Sequence, residues 1–597
     1  MLSSVGTIGA VGYFCYTNLI MSEPELPSLS ELRHSLAHLL AAAVAELYPD
    51  AKRAIGPAID NGFYYDFEFV KPISDAELPK IEKKMRQIQL SWTRFDRHEV
   101  TKEQALKEFA GNQYKKELIE EFAKEGDTLT VYQSGSFRDL CRGGHADNLA
   151  AYDPAAFKLT HIAGAYWRGS EKNAMLTRIY GLAFASKNEL DHHLSMLEEA
   201  KKRDHKKLGL QLGLFFFHET APGMPYWLPK GVALYNELVQ FWREEHSSRG
   251  YQEIVSPLLN KKDLYITSGH WDHYLDNMFV VQDEENQTYA LKAMNCPNAM
   301  VVFGLRPRSY RELPLRLSDT DMLHRNELSG ALNGLFRVRE FRQDDAHVFV
   351  TEDQITDEGK QILEIAERFY SVFNMQYSFR LGTRPQKFMG DKQTWDKAEA
   401  ALNDILKHSG KEFVVLEGDG AFYGPKIDIV MKDSLGREWQ MGTIQLDFQI
   451  PANFGLTYVD EHGKEQVPVT IHRAIYGSLE RFIGVMIEHC AGIFPLWIAP
   501  VQVVVLPISQ KHTKYASSVL KELVQSGIRS ELDERNETLG KRIRESELQK
   551  VPYIIVVGDK EQIDKTVSVR HITTKDQQTL TLSALTTKLI TEIRNKS

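Results

Sequence analysis

Residues 315–350, LRLSDTDMLHRNELSGALNGLFRVREFRQDDAHVFV, constrain this chain more than any other stretch. The second half alternates. Read as a strand, it places Arg337, Arg339, Phe341, Gln343, Asp345 and His347 on one face and Val338, Ala346 and Val348 on the other. Cations, an amide, a carboxylate and an imidazole thus converge on one side. The first half ends in Arg325 and Glu327, just before the turn-forming SGALNG, so the whole reads as a hairpin. A sheet surface presenting two or more arginines suits a polyphosphate, because guanidinium forks match phosphate oxygens. The alternation by itself also fits the solvated face of a two-sided sheet.

A chain of 597 residues has room for roughly three or four domains. Hydrophobic content of 43% and charged content of 26% match a soluble globular protein. A net charge of −9 argues against wholesale nonspecific nucleic-acid binding but permits a local basic groove. Cys15, Cys141, Cys296 and Cys490 are too few for a disulfide framework, which points to a reducing cytosol. Residues 5–21, VGTIGAVGYFCYTNLIM, form an apolar run with no Lys or Arg ahead of it and with Gly, Thr, Tyr and Asn inside it. A signal peptide needs a positive flank, and a spanning helix needs about 20 mostly apolar residues. The expectation is a reading frame extended upstream of a start at Met21, with a weak membrane anchor as the alternative.

Ser28-Leu-Ser-Glu31 is a capping-box pattern that opens a helix through about Leu47, striped by Leu32, Leu36, Leu39, Leu40, Val44 and Leu47. His34 and His38 lie four apart on another face, beside Ala41, Ala42 and Ala45, so something could approach both imidazoles. Cys141 and His145 are also four apart, in the Gly-rich loop of YQSGSFRDLCRGGH. The four have a zinc-like stoichiometry if the two pairs meet in space. Residues 74–126 read as charged amphipathic helices, and 157–185 as closing strands of an α+β domain. LDHHLSMLEEAKKRDHKKLGLQLGLF reads as a linker helix with its acidic half first; His192, His193 and His205 read as surface residues. A long amphipathic helix follows Pro229, then a short strand YQEIVSP. Cys296 falls at a turn before Pro297. GDGAFYGPKIDIVMKD and REWQMGTIQLDF alternate polar and apolar, and VTIHRAIYGSLERFIGVMIEHCAG runs from a strand ending at His472 into a helix carrying Gly477, Glu480 and Arg481. Beyond Pro500 the pattern is β-α-β, read as a separate, parallel-sheeted α/β domain.

Taken together, these residues resemble the threonyl-tRNA synthetases, a family of class II aminoacyl-tRNA synthetases, over about residues 28–597. The helix ending at YQEIVSP resembles class motif 1. Arg325-Asn-Glu327 through Arg337 resembles motif 2, and Gly477-Ser-Leu-Glu-Arg481 resembles motif 3. MNCP, RQDDAH and TIHRA accompany them in order. The fold implied is α+β and multidomain: an N-terminal extension (1–27), an α+β editing domain (28–185), a linker helix (186–212), a class II catalytic domain on an antiparallel sheet (213–499) and a C-terminal α/β anticodon-binding domain (500–597).

The activity implied is ATP-dependent attachment of L-threonine to tRNA(Thr) through a threonyl-adenylate, in a cytoplasmic homodimer, without a membrane. By the family pattern Arg325 meets the α-phosphate, Glu327 contacts the adenine side and Arg481 stacks on adenine and engages the phosphates, with Mg²⁺ escorting the pyrophosphate. Arg337, Gln440 and Thr443 resemble further ATP-binding positions. Cys296, His347 and His472 match the ligands of one zinc ion per chain, which in this family holds threonine by its amino and hydroxyl groups. Asp345 would take the amino group or the hydroxyl proton, and Gln343, Tyr423, Lys426 and Gln445 resemble the rest of the pocket. Serine keeps the hydroxyl, and one missing methylene is worth only about 1–3 kcal/mol, so a second, hydrolytic site is expected. His34, His38, Asp139, Cys141 and His145 match the family's editing pattern for seryl-tRNA. Glu561 and Arg570 match positions that read the anticodon, and the basic helix Lys541 to Arg544 suits a phosphate contact or a solvated face.

Some positions depart from the family. Fewer than 30 residues precede the HxxxH helix, so the small N-terminal domain is expected to be absent. CRGGH replaces CRGPH, KAMNCPNA replaces KPMNCPGH with Ala293 and Ala299, and RVREF replaces RVRGF with Glu340. The competing readings are a noncatalytic regulatory paralogue binding tRNA or messenger, and a prolyl- or seryl-type relative. Threonine-dependent pyrophosphate exchange separates all three.

Overall fold

The computed structural model describes residues 28–596; the apolar run at 5–21 lies outside them. The chain forms two compact units, which meet in sequence at Leu197 and Glu198 inside the helix Lys187–Arg203.

In the first unit Ser28 and Glu31 close the expected capping box, and the helix Leu29–Leu47 follows. Its Leu and Ala face packs, with the helix Leu78–Gln89, onto a sheet ordered Lys52–Arg53, Gly62–Glu68, Met175–Ala183, Phe157–Tyr166. A second sheet of Asp96–Glu99, Thr130–Ser134 and Phe137–Leu140 ends where the Cys141 loop begins. That loop turns through left-handed backbone at Gly143 (φ 108°) and Gly144 (φ 84°). Glycine adopts this freely, whereas proline, locked near −65°, cannot. The CRGGH departure therefore comes with a backbone that a CRGPH loop could not follow.

The second unit is built on a nine-stranded sheet. Its order is Gln252–Glu253, Leu315–Asp319, Glu340–Val350, Val469–Ser478, Glu438–Asp447, Lys426–Lys432, Gln376–Gly382, Phe413–Leu416, with Met322–His324 also pairing to Glu340–Val350. The two terminal pairs are parallel and the interior pairs antiparallel. The helices Pro229–Ser247, Ile355–Ser371, Lys392–Ser409 and Leu479–His489 bury their apolar stripes against it. The hairpin at 315–350 exists, with Leu317 opposite His347.

Several expectations change. First, the alternation starts at Glu340, not Arg337: Phe341 packs with Val338, expected on the opposite face, and with Leu323. Second, the linker breaks at Asp204, whose carboxylate accepts from Lys206 N–H at 2.8 Å and caps a new helix, His205–Gln211. His205, expected on the surface, is 1% exposed. Third, the C-terminal sheet is mixed. Ser530–Leu532, Val503–Pro507 and Tyr553–Val557 are parallel, but Thr566–His571 and Gln577–Thr581 run antiparallel. The eight and five residues that join those last strands are too few for the crossover of roughly a dozen that a parallel pair needs. Gly477 also belongs to the strand Val469–Ser478 rather than to the helix after it, and His472 lies mid-strand.

Candidate functional site

Pairing across the large sheet sets one row of side chains. His347 stands opposite His472, His472 opposite Gln445, and Gln445 opposite Lys426. Directly paired residues share a face. Cys296, the first residue of the helix Cys296–Phe303, comes to the same place, and its sulfur and one nitrogen from each histidine all lie within 4.8 Å of one another. His347, His472 and Gln445 of that row line a cavity of about 360 Å³ that also takes in Arg325, Gln343, Asp345, Tyr423 and Thr443.

Gln343 and Asp345, two apart on one strand, both reach this cavity as alternation places them, and the pairing with the neighbouring strand slips between them. Asp344, between the two, turns to the opposite side. Its carboxylate accepts backbone N–H groups of Ile475, Tyr476 and Gly477 at 2.9–3.2 Å. Burial raises the Asp345 carboxyl to about 6, against the pull of His472 and the Asn295 amide, which donates at 3.2 Å.

The donor set fits a divalent metal. His347 Nδ1 is buried with no hydrogen-bond partner. His472 Nε2 is held by Asp447 at 2.8 Å, the carboxylate anchor that metal-binding histidines commonly have. Burial, then the neighbouring His472 and Arg473, hold His347 well below the usual histidine range, so it offers a neutral ring. Burial with Asp345 and Asp447 pushes the Cys296 thiol up, a shift that a bound cation reverses. One thiolate and two imidazoles leave an open position, the composition of catalytic zinc sites. His270 escaped the sequence reading: it is buried with Nε2 3.7 Å from the Cys296 sulfur, and no motif or spacing marks it.

Arg325 lines this cavity, and Arg325 and Arg337 both lie near enough to Arg481 to act on its charge. Arg325 donates to the Ala293 carbonyl at 3.2 Å and lies 5.0 Å from the centre of the Phe341 ring. Arg481 donates to the carbonyls of Phe336 at 3.0 Å and Gln440 at 3.2 Å. Burial, then Arg325 and Arg337, lower the Arg481 proton affinity. Glu327, the second expected ATP contact, accepts from Arg337 at 2.8 Å. Tyr423 hydroxyl bonds Gln445, Thr443 bonds Asp428 at 3.2 Å, and Lys426 bridges Asp419 (3.0 Å) and Asp428 (2.9 Å). Gln440 supplies its carbonyl; its side chain is exposed.

The first unit holds a second cluster. His34 and His38 lie a helical turn apart with Nε2 atoms 3.3 Å from each other, and the Cys141 sulfur is 3.4 Å from His34. His145 stacks on His34 and Phe95, each 4.5 Å away. Beneath them Asp139 is fully buried and accepts from Lys115 at 2.7 Å and Tyr65 at 2.5 Å, with His38 Nδ1 at 3.3 Å. Lys115 and Tyr65 escaped the sequence reading, since each meets Asp139 only through the fold. Burial lowers the His38 pKa, but the Asp139 and Cys141 hydrogen bonds win and lift it to about 9. Burial raises the Cys141 pKa, but His145, His34 and His38 win and draw it down to about 3. His145 falls to about 4, chiefly through burial. The result is a thiolate beside an imidazolium, with a neutral imidazole alongside.

In the C-terminal part, Glu561 caps the helix Asp559–Asp564 by accepting from Gly558 N–H at 2.9 Å, and Arg570 pairs with Glu547 at 3.0 Å. Arg542, expected among phosphate contacts, is instead buried, donating to the carbonyls of Asp533 and Pro507 at 2.7 Å. Lys541 and Arg544 remain exposed.

Three family descriptions match the chain: "tRNA synthetase class II core domain (G, H, P, S and T)" over residues 279–490, "Anticodon binding domain" over 502–592, and "Threonyl and Alanyl tRNA synthetase second additional domain" over 129–180. Among similar proteins, the threonine--tRNA ligase of Acetivibrio thermocellus is 48% identical over 584 residues, covering 98% of this chain and 91% of that protein. That of Thermotoga maritima is 50% identical over 567 residues, covering 94% and 88%. The crystal structure of the RNA binding domain of threonyl-tRNA synthetase from Cryptosporidium parvum is 45% identical with a TM-score of 0.64, covering 65% of this chain and 98% of that one. A putative threonyl-tRNA synthetase, ThrRS-1, from Aeropyrum pernix is 28% identical with a TM-score of 0.58, covering 66% and 97%.

Proposed function

This chain belongs to the threonine--tRNA ligase family, and on that premise we propose how its side chains divide the work. It charges tRNA with threonine and carries an editing domain for the mischarged product. Adenylate formation brings the amino acid carboxylate onto the α-phosphate, where negative charge accumulates. The Arg325 guanidinium meets that charge, and Arg481 holds the nucleotide from the other side. Glu327 releases Arg337 as the base and phosphates arrive. Thr443 and Gln440 flank the nucleoside, and Mg²⁺ accompanies the pyrophosphate.

Threonine lies over the row of His472, Gln445 and Lys426. Asp345 accepts from its ammonium or hydroxyl group, and Gln343, Tyr423 and Gln445 close the wall. Cys296, His347 and His472 would hold a zinc ion, one per chain, which supplies a Lewis-acidic coordination point for the amino and hydroxyl groups. Valine, without the hydroxyl, leaves that arrangement unsatisfied, and a site built to bond a hydroxyl rejects such an analogue strongly. Serine passes, and His34, His38, Asp139, Cys141 and His145 orient its ester and an attacking water. Glu561 and Arg570 read anticodon bases. The same premise supports a cytoplasmic homodimer. Among the described residues no helix is long and apolar enough to cross a membrane.

The observation that carries this reading is the scattered Cys296, His347 and His472 meeting in a cavity that Arg325 also lines. Metal analysis of the purified chain should find one zinc. Cys296→Ala should lose it and lower threonine-dependent pyrophosphate exchange by about 100-fold or more. Full exchange in a metal-free Cys296→Ala chain would sink the assignment.

A further inference from the structure

The helix His205–Gln211 carries a buried histidine that no step above uses. Leu335 N–H donates to His205 Nε2 at 3.0 Å, so that nitrogen is an acceptor and the ring proton sits on Nδ1. There it donates to Glu488 Oε1 at 2.7 Å, and the His205 backbone N–H donates to the same oxygen at 3.0 Å. Asp204, His205 and Glu488 lie close enough to suggest a metal site. Both ring nitrogens are already committed, however, and Arg437 donates to the other Glu488 oxygen at 2.6 Å. The network is closed on itself and serves as a support.

It supports the turn Gly334–Phe336. The Phe336 ring lies 4.0 Å from the His205 ring and 4.4 Å from Trp439, centre to centre. Trp439 is fixed in turn, its ring N–H donating to Asp433 at 2.9 Å. The turn has no room to drift. A Cβ on Gly334, whose φ is +50°, would sit 2.2 Å from His205 Nε2. A Cβ on Gly484, from the motif 3 helix, would meet Leu335 and Phe336 at 3.1 Å. The Phe336 carbonyl is the acceptor for Arg481 Nε.

We propose that His205 is a positioning residue for adenylate formation: it fixes the 334–336 turn, and the turn's Phe336 carbonyl aims the Arg481 guanidinium at the nucleotide. This deepens the reading given above and rests on Arg481 binding ATP. The linker thereby reaches the reaction through the hydrogen bond from Leu335 N–H to an imidazole.

Pyrophosphate exchange by the full chain, with ATP and threonine varied separately, tests it. His205→Asn keeps an N–H near the Nδ1 position for Glu488 but offers nothing to Leu335. Its KM for ATP should rise about tenfold, with the KM for threonine changed by less than about twofold. His205→Gln places an amide oxygen near the Nε2 position and should recover most of the ATP KM. Gly334→Ala attacks the same contact from the other side and should reproduce the ATP defect with His205 in place; it decides the matter if His205→Asn does not fold. Deacylation of seryl-tRNA should be untouched in all three. An unchanged ATP KM in the Asn and Ala variants, or a threonine KM that climbs in step with it, overturns the role of His205. If the unaltered chain shows no exchange, the underlying reading of the site is what fails.

Discussion

Glu480 follows the first residue of the helix Leu479–His489 with its carboxylate turned inward, 3% exposed. Burial raises it to about 7, against the Arg342 N–H and Ser478 hydroxyl that bond it. A carboxyl whose folded pKa lies above its unfolded value favours the fold below the unfolded value, about 4.5, and loses that contribution as pH climbs through 7. The stability of the unaltered chain relative to Glu480→Gln should therefore fall between pH 4.5 and 7.5, by on the order of 3 kcal/mol at most. Thermal unfolding of both across that range checks it; parallel curves would refute it. Residues of this kind show where the sequence stops being readable. Arg325, Arg481 and the three proposed metal ligands stand inside short motifs. His205, His270, Lys115 and Tyr65 acquire their surroundings from partners far along the chain. Tyr65 and Asp139 are 74 residues apart, and His205 and Glu488 are 283 apart.

Elements were easier to read than their ends. The capping box, the amphipathic helix after Pro229 and the hairpin all follow from local pattern, and all are present. What local pattern could not supply was the slip between Gln343 and Asp345, because it depends on Asp344 being gripped by three N–H groups of another strand. Gly477 belongs to that grip. Its φ is +73°, and a Cβ there would stand 2.2 Å from the Met441 carbonyl oxygen. Gly477→Ala should destabilise the chain by at least about 1–3 kcal/mol through backbone strain alone. It should also lower exchange activity, since Gly477 lies four residues before Arg481. An unshifted melting temperature with full exchange activity would show that the strand does not need its glycine.

At the scale of the whole molecule, synthesis and correction occupy different compact units. Each cluster is complete within its own unit: His34, His38, Cys141 and His145 in one, Cys296, His347 and His472 in the other. His38→Ala should therefore leave threonine charging within about twofold while slowing seryl-tRNA deacylation by about 100-fold or more, the scale of a lost acid–base group. Release of serine from preformed seryl-tRNA measures the second, and an undiminished rate would take editing away from this cluster. The broad architecture was legible because the class motifs stand in order along the chain. The division point inside the helix Lys187–Arg203 was not, since a continuous helix carries no break in its own pattern.

Arg325 and Arg337 both press their charge on Arg481 in this corner. Whatever polyanion arrives relieves that crowding, and the grip does not ask whether it came as reactant. Inorganic pyrophosphate carries the same terminal oxygens as the triphosphate it leaves behind. If these arginines hold the triphosphate as proposed, pyrophosphate competes with ATP for them, and throughput depends on how quickly the surroundings clear it.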